Sequence, residues 1–126
     1  MAHILVVDDD PQLRTMLERV LVQMGHDVTQ AEDGLAALNT VGTRPFAIAF
    51  VDLFMPTIDG LEVIPKLLFQ SPDTKIVAMS GGVYGGKGVS LLTVAERLGA
   101  ARTLAKPFGI DDIERILREL LNGSAT

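Results

Sequence analysis

Four aspartates follow directly after two strongly apolar stretches of this 126-residue chain. They are Asp8, Asp9, Asp10 and Asp52. The first three come after residues 4–7, and Asp52 follows the unbroken apolar run at residues 46–51. Such a run is typical of a strand buried on both faces, so each set of carboxylates is expected where a buried strand leaves the core. Carboxylates in that position either shape a turn or take part in chemistry.

Two interpretations of the aspartate triplet are open. Aspartates near a helix N-terminus commonly cap it, and we assign Asp10 to the cap because Pro11 follows at the expected first helical position. Alternatively, Asp8 and Asp9 form a cation site together with Asp52. Carboxylates packed this closely repel one another, and a hard divalent ion with oxygen ligands, Mg²⁺ or Mn²⁺, would hold them ionised together.

The elements that must position these side chains alternate regularly along the chain. Apolar, strand-like runs cover residues 4–7, 27–31, 46–51, 75–79 and 101–105. Segments of helical periodicity cover residues 11–24, 33–42, 61–68, 89–98 and 109–121. We expect Pro65 to kink the third helix or delay its start, since a proline inside a helix costs about 3 kcal/mol. In the last helix, six residues are expected to face inward: Ile110, Ile113, Ile116, Leu117, Leu120 and Leu121.

This alternation predicts an α/β fold with a five-stranded parallel sheet, helices on both faces and right-handed crossovers. The first, third and fourth strands are wholly apolar apart from a leading lysine in the fourth, whereas the second and fifth are mixed. The mixed strands therefore belong at the edges, which gives the doubly wound order 2-1-3-4-5. Ligands bind such sheets where the strand order reverses, here between strands one and three. Asp8, Asp9 and Asp52 are expected at that reversal.

Two further polar side chains follow the other strands. Ser80 comes after residues 75–79, and Lys106 comes after residues 101–105, with Pro107 behind it. Taken singly, Ser80 is an ordinary residue at a strand end and Lys106 a solvated one. Together with the carboxylates they predict a pocket for a tetrahedral dianion. Lys106 would form an ion pair with this dianion, and Ser80 would donate a hydrogen bond to it.

Composition excludes several classes of function. The chain carries 16 acidic and 11 basic residues, a net charge of −5, with no basic cluster, which argues against nucleic acid as a direct ligand. It has no cysteine, so it forms neither disulfides nor thiolate metal sites, in keeping with a cytoplasmic protein. The apolar run at residues 4–7 is too short for a signal peptide or a membrane span.

The motifs VVDDDP, VDLFMPTIDG, AMSGG and LAKPF resemble those of response-regulator receiver domains, and the resemblance covers essentially the whole chain. It implies the flavodoxin-like (βα)5 fold, with a receiver domain at residues 1–122 and a short polar tail at residues 123–126. No effector domain is expected. The phosphoryl donor would be a histidine kinase or a histidine phosphotransfer protein, and the downstream target is left open. We expect a monomer or weak dimer with no membrane or nucleic-acid partner.

The resemblance also implies residue roles. Asp52 would be the phosphoacceptor, Ser80 the switch hydroxyl, and Lys106 the partner of the phosphoryl group. Asp9 would be a direct Mg²⁺ ligand and Asp8 a ligand through water. The backbone carbonyl of Phe54 would complete the set of protein ligands, and the bond before Pro107 is typically cis.

Two features depart from the pattern. Receivers usually carry an aromatic residue three positions before the lysine, where this chain has Thr103. The glycine-rich segment at residues 80–88, which contains Tyr84, is also longer than usual; we expect a mobile loop there, with Tyr84 either an ordinary loop residue or a partner contact.

Two other functions are compatible with this fold. A haloacid-dehalogenase-type phosphatase would use Asp8 as its nucleophile, but that family expects Thr or Val where this chain has Gln12. A flavodoxin-like flavin binder would need a phosphate loop rich in Ser, Thr and Gly after the first strand, where three carboxylates would repel phosphate. The site, and not the fold, separates these possibilities. We expect a signalling protein and not an enzyme.

Overall fold

Strands and helices alternate along the whole computed structural model, which describes residues 1–55, 60–81 and 91–122. The strands are β1 (His3–Val7), β2 (Asp27–Ala31), β3 (Ile48–Asp52), β4 (Lys75–Ser80) and β5 (Arg102–Ala105). The helices are α1 (Pro11–Gln23), α2 (Gly34–Val41), α3 (Gly60–Gln70), α4 (Leu91–Leu98) and α5 (Ile110–Asn122).

All strand pairs are parallel, and the sheet order is β2-β1-β3-β4-β5, which confirms the prediction. The mixed strands β2 and β5 do form the edges. The register aligns Val7 with Val51 and Ser80 with Ala105 across neighbouring strands. The carboxyl ends of the strands therefore lie along one edge of the sheet, where the polar residues of the sequence follow them.

The central strands are apolar because both of their faces are buried. One face packs under α2, α3 and α4, and its strand residues are Leu5, Val7, Ala49, Val51, Ile76 and Ala78. The opposite face packs under α1 and α5, and its strand residues are Ile4, Val6, Ile48, Phe50, Val77 and Met79. Successive strand residues point to opposite faces, so a strand with helices on both sides needs an apolar residue at every position.

The ends of α1 follow local chemistry that the sequence predicts. The side chain of Asp10 accepts a hydrogen bond from the amide of Gln12 at 2.9 Å, and Pro11 occupies the first helical position. Gly25 follows the last turn with φ of +93°, a conformation that glycine adopts at little cost. The assignment of Asp10 to the helix cap is confirmed.

The prediction of a late start for α3 is wrong. The helix begins at Gly60 and runs through Pro65, which is exposed. Val63, Ile64 and Leu67 of this helix are fully buried. Burying three large aliphatic side chains stabilises the helix by several kcal/mol, which outweighs the cost of one interior proline.

Two of the six residues expected to face inward on α5 are exposed in the structure. Ile110 is 57% exposed and Leu121 is 37% exposed, whereas the other four predicted residues, Ile113, Ile116, Leu117 and Leu120, are buried. Ile110 is the first residue of the helix and Leu121 the last but one, so each has helical neighbours mainly on one side.

Several predictions lie outside the described residues. These are the glycine-rich loop that contains Tyr84 and the tail at residues 123–126. Among the helices of the described ranges, none has the length and apolar character that crossing a membrane requires.

Gly60, the first residue of α3, packs closely against the backbone at the end of β3. Its amide donates a hydrogen bond to the carbonyl of Leu53 at 3.2 Å. A Cβ added there would overlap the carbonyl oxygen of Asp52 and lie 2.6 Å from Cα of Leu53. Backbone atoms cannot move aside as a flexible side chain could. The absence of a side chain at Gly60 thus sets the position of the backbone that carries Asp52.

We predict that Gly60→Ala lowers the free energy of unfolding by about 1 to 3 kcal/mol, because the new methyl group overpacks the backbone. Gly42→Ala is the matched control: its φ is −81° and a Cβ there meets nothing within 4 Å. The control should be neutral or stabilising by up to about 1 kcal/mol. Urea unfolding followed by circular dichroism measures both, and equal stabilities for the two variants would contradict the close packing.

Candidate functional site

The site is assembled from four strand ends. Asp8 and Asp9 follow β1, Asp52 ends β3, Ser80 ends β4 and Lys106 follows β5. Three further backbone hydrogen bonds extend the ladder beyond the strands. The amide of Asp8 donates to Ala31 (3.2 Å), that of Leu53 to Met79 (2.9 Å) and that of Lys106 to Ser80 (2.8 Å). The sheet thus holds the main chain on which each functional side chain is mounted.

Lys106 joins the two buried carboxylates of the site. Its Nζ donates to Oδ2 of Asp8 at 3.0 Å and to Oδ1 of Asp52 at 3.2 Å. Burial lowers the pKa of Lys106, but its hydrogen bond to Asp8 and the negative charges of Asp52 and Asp8 outweigh that effect, so the pKa is raised. The Lys106 ammonium is therefore protonated at neutral pH and bridges the carboxyl groups of Asp8 and Asp52.

Asp52 lies in a crowded negative environment. Its side chain is 6% exposed. Burial raises its pKa to about 6; the negative charge of Asp8 adds to this effect, and Lys106 opposes it. One ammonium is not enough to keep Asp52 as strongly ionised as it is in water. A second positive charge would restore full ionisation.

Asp8, Asp9 and Asp52 could supply that charge by binding a metal ion. Each offers a carboxylate oxygen, and these oxygens lie within 4.8 Å of one another; Asp9 is exposed and the other two are buried. Oxygen ligands from several carboxylates suit a hard divalent cation. The three carboxylates expected from the sequence thus lie together, with Asp9 exposed to solvent, and the expected contribution of the Phe54 carbonyl stays a prediction.

Two predicted site residues lie nearby, and their roles stay predictions. Ser80 is buried, with 2% of its surface exposed, as the last residue of β4. Phe54 follows β3 by two residues, and 61% of its surface is exposed. Thr103 is half-buried on β5 and aligned with Ala78 of β4. The bond between Lys106 and Pro107 is cis, in agreement with the resemblance.

Sequence reasoning missed one residue at the site. Arg14, in the first turns of α1, donates from Nη1 to the carbonyl of Asp8 at 2.6 Å. The signal was its spacing: a long side chain four residues after the helix cap can reach back over the loop that precedes the helix. The histidines are elsewhere. His26 accepts from the amide of Ala2, and His3 lies 3.7 Å from Asp27.

The family model of the response regulator receiver domain matches residues 4–118. The chain therefore belongs to the receiver domains of response regulators, the phosphoacceptor signalling modules of two-component systems. Family membership favours the receiver interpretation over the phosphatase and the flavin binder.

Two curated relatives match this chain over almost their full length. The response regulator receiver protein CpdR of Brucella abortus is 29% identical over 121 residues, which are 96% of this chain and 98% of the relative. Sporulation initiation phosphotransferase F of Bacillus subtilis is 30% identical over 118 residues, 94% of this chain and 92% of the relative.

A solved structure shares both the fold and the class. Response regulator protein TrrA of Thermotoga maritima, in complex with Mg²⁺-BeF, superposes with a TM-score of 0.81 and 28% identity. The match covers 95% of this chain and 99% of that protein. Receiver domains bind Mg²⁺ at an acidic pocket, and this chain brings Asp8, Asp9 and Asp52 together.

We predict that Asp52→Asn raises the stability of the metal-free protein. The folded pKa of Asp52, about 6, is above its ordinary value of 3.8, so ionisation opposes folding. The contribution of Asp52 to the free energy of unfolding is most favourable below pH 4, where its carboxyl is protonated, and is lost as the pH rises through 6. At pH 7.5 the variant should therefore be more stable by about 1 to 3 kcal/mol, and the difference should vanish near pH 4.

Urea unfolding in EDTA at the two pH values measures this difference. Asp73→Asn removes an exposed carboxylate from the turn before β4 and serves as the control for charge. An Asp52→Asn variant that is no more stable than this control at pH 7.5 would refute the buried repulsion.

Proposed function

We propose that Asp52 accepts a phosphoryl group from the phosphohistidine of a kinase or a histidine phosphotransfer protein. The single observation that carries this proposal is the Lys106 ammonium placed between Asp52 and Asp8. In this arrangement the buried carboxylate of Asp52, the proposed nucleophile, lies beside the Lys106 ammonium and the carboxylates of Asp8 and Asp9. Mg²⁺, or Mn²⁺, would be held by Asp8, Asp9, Asp52 and the backbone carbonyl of Phe54.

The transfer needs little covalent help from the protein. A carboxylate oxygen of Asp52 forms a bond to phosphorus while the bond between phosphorus and the imidazole nitrogen of the donor breaks. Asp52 needs no general base, because it reacts as an anion. The divalent cation supplies positive charge for the phosphoryl oxygens. Lys106 can exchange its contact with Asp52 for one with the new phosphoryl group, at little change in position.

Ser80 is proposed as the residue that responds. Phosphorylation adds negative charge and strong acceptor oxygens at Asp52, and the Ser80 hydroxyl lies on the neighbouring strand. A hydrogen bond that forms only in the phosphorylated state would shift the population of the segment that follows β4. Because Thr103 replaces the usual aromatic, we propose that partners detect this change through that segment or α4 instead.

The module is proposed to act as a relay, a phosphate sink or a protein-binding switch. Two relatives that this chain matches over almost their full length, a receiver protein and a phosphotransferase, support such roles, whereas other relatives are longer and match this chain over about half of their length or less. Its net charge of −5 supports protein partners and not nucleic acid. We further propose a cytoplasmic monomer or weak dimer that signals without catalysing turnover of a substrate.

Intact-mass measurement after incubation with acetyl phosphate and Mg²⁺ tests the proposal. The parent should gain the mass of one phosphoryl group, and EDTA should prevent the gain. Asp52→Asn should gain none, because a neutral amide replaces the nucleophilic carboxylate. The Asp73→Asn control should behave as the parent.

Two results would contradict the proposal. An adduct that persists in Asp52→Asn but disappears in Asp8→Asn would assign the nucleophile to Asp8, as in the phosphatase alternative. If the folded parent forms no adduct with acetyl phosphate or with other small-molecule phosphoryl donors, the site does not accept a phosphoryl group.

A further inference from the structure

Arg14 contacts the loop between β1 and α1 twice. Its backbone amide donates to the carbonyl of Asp10 at 3.1 Å, a hydrogen bond of the first helical turn. Its guanidinium reaches back, and Nη1 donates to the carbonyl of Asp8 at 2.6 Å. Arg14 therefore contacts the loop at both its first and its last acidic residue, Asp8 and Asp10.

The other side of the guanidinium is also held. Nε of Arg14 donates to Oε1 of Gln30 at 2.9 Å, and Nε2 of Gln30 donates to Oε1 of Glu18 at 2.7 Å. Glu18 lies one turn further along α1, and Gln30 lies next to the end of β2. This chain of hydrogen bonds fixes the planar guanidinium in one orientation. A planar fork held at two points loses less freedom with each bond than a flexible ammonium does.

The carbonyl of Asp8 lies where the β1–β2 ladder ends. β2 stops at Ala31, whose carbonyl accepts the amide of Asp8 at 3.2 Å. The donor to the Asp8 carbonyl within the described residues is the Arg14 guanidinium. The carboxylate of the same residue accepts from the amide of Asp10 at 2.9 Å and from Lys106. Arg14 thus holds the main-chain carbonyl of Asp8, while Asp10 and Lys106 hold its carboxylate.

We propose that Arg14 is a positioning residue for the divalent-cation site. It acts through Asp8: by holding the main-chain carbonyl, it keeps the carboxylate directed between Lys106 and the metal position. This inference depends on the proposed binding of a divalent cation by Asp8, Asp9 and Asp52. Residues that orient metal ligands commonly change metal affinity by about 10- to 100-fold when they are removed.

The sign of the effect separates positioning from simple electrostatics. Arg14 places a positive charge beside an acidic cluster, so charge repulsion alone would make the loss of Arg14 strengthen Mg²⁺ binding. Loss of positioning weakens it instead. A purely structural role would lower the stability of the fold and leave the Mg²⁺ affinity unchanged.

Calorimetric titration of the full chain with MgCl₂ measures this sign. The variants are Arg14→Gln, Arg14→Lys and the control Arg19→Gln, which removes the same charge from an exposed position of the same helix. We expect Mg²⁺ to bind Arg14→Gln about 10-fold more weakly than the parent. Arg14→Lys should be intermediate, because an ammonium can reach the Asp8 carbonyl but cannot also hold Gln30 in the same fork. Arg19→Gln should bind Mg²⁺ as tightly as the parent or more tightly.

Gln30→Ala provides a second route, in case Arg14→Gln does not fold. It changes an exposed residue of an edge strand, and we expect it to weaken Mg²⁺ binding in the same direction by about 2- to 5-fold, less than the full removal of an orienting residue. Circular dichroism in EDTA confirms that each titrated variant is folded.

Each outcome has a definite meaning. Weaker binding in Arg14→Gln, with Arg19→Gln unaffected, supports the positioning role. Tighter or unchanged Mg²⁺ binding by folded Arg14→Gln overturns the positioning role and leaves the proposed function intact. If Arg14→Gln does not fold, the same result in Gln30→Ala has the same meaning. A folded parent that binds no Mg²⁺ overturns both the positioning role and the proposed cation site.

Discussion

The structure depends on a buried excess of negative charge that a single ammonium only partly balances. Asp8 and Asp52 are almost wholly buried, and Lys106 bonds to both of them. Burying a carboxylate without sufficient positive charge disfavours its ionised form, and the raised pKa of Asp52 expresses that cost. A site of this kind favours the uptake of positive charge. The same imbalance opposes folding of the metal-free protein and favours the phosphoryl transfer that we propose for Asp52.

The fold maintains this imbalance because the charges sit at the ends of rigid strands. β1 and β3 are buried on both faces, so their main chains cannot move aside to relieve the repulsion between Asp8 and Asp52. Gly60 adds a second constraint from α3, whose first residue packs against the backbone of Asp52 and Leu53. Repulsion that cannot relax by movement is relieved by the uptake of positive charge, either a proton, as the raised pKa of Asp52 indicates, or a cation. This is the physical link between an apolar core and the demand for positive charge at its edge.

Much of this arrangement could be predicted because it follows from periodicity. Unbroken apolar runs identify strands with two buried faces, mixed runs identify edges, and the polar residue after each run then falls at the same edge of the sheet. That reasoning located Asp8, Asp9, Asp52, Ser80 and Lys106 without reference to side-chain contacts. It failed where the outcome depends on distances between elements. The helix α3 begins at Gly60 and not after Pro65 because burial of its other residues outweighs the cost of the proline. Ile110 and Leu121 are exposed because they lie at the two ends of α5. The contact of Arg14 with the Asp8 carbonyl depends on the direction of one side chain, which composition does not reveal.

The ionisation of Asp52 is the property on which the charge argument rests, and carbon-13 NMR of its side-chain carboxyl observes it directly. Titration of the labelled protein in EDTA should show Asp52 taking up its proton near pH 6. Saturating Mg²⁺ should move that midpoint to lower pH, because the bound cation stabilises the anion. A midpoint near the ordinary value of about 4 in EDTA, or one that Mg²⁺ does not change, would contradict the account.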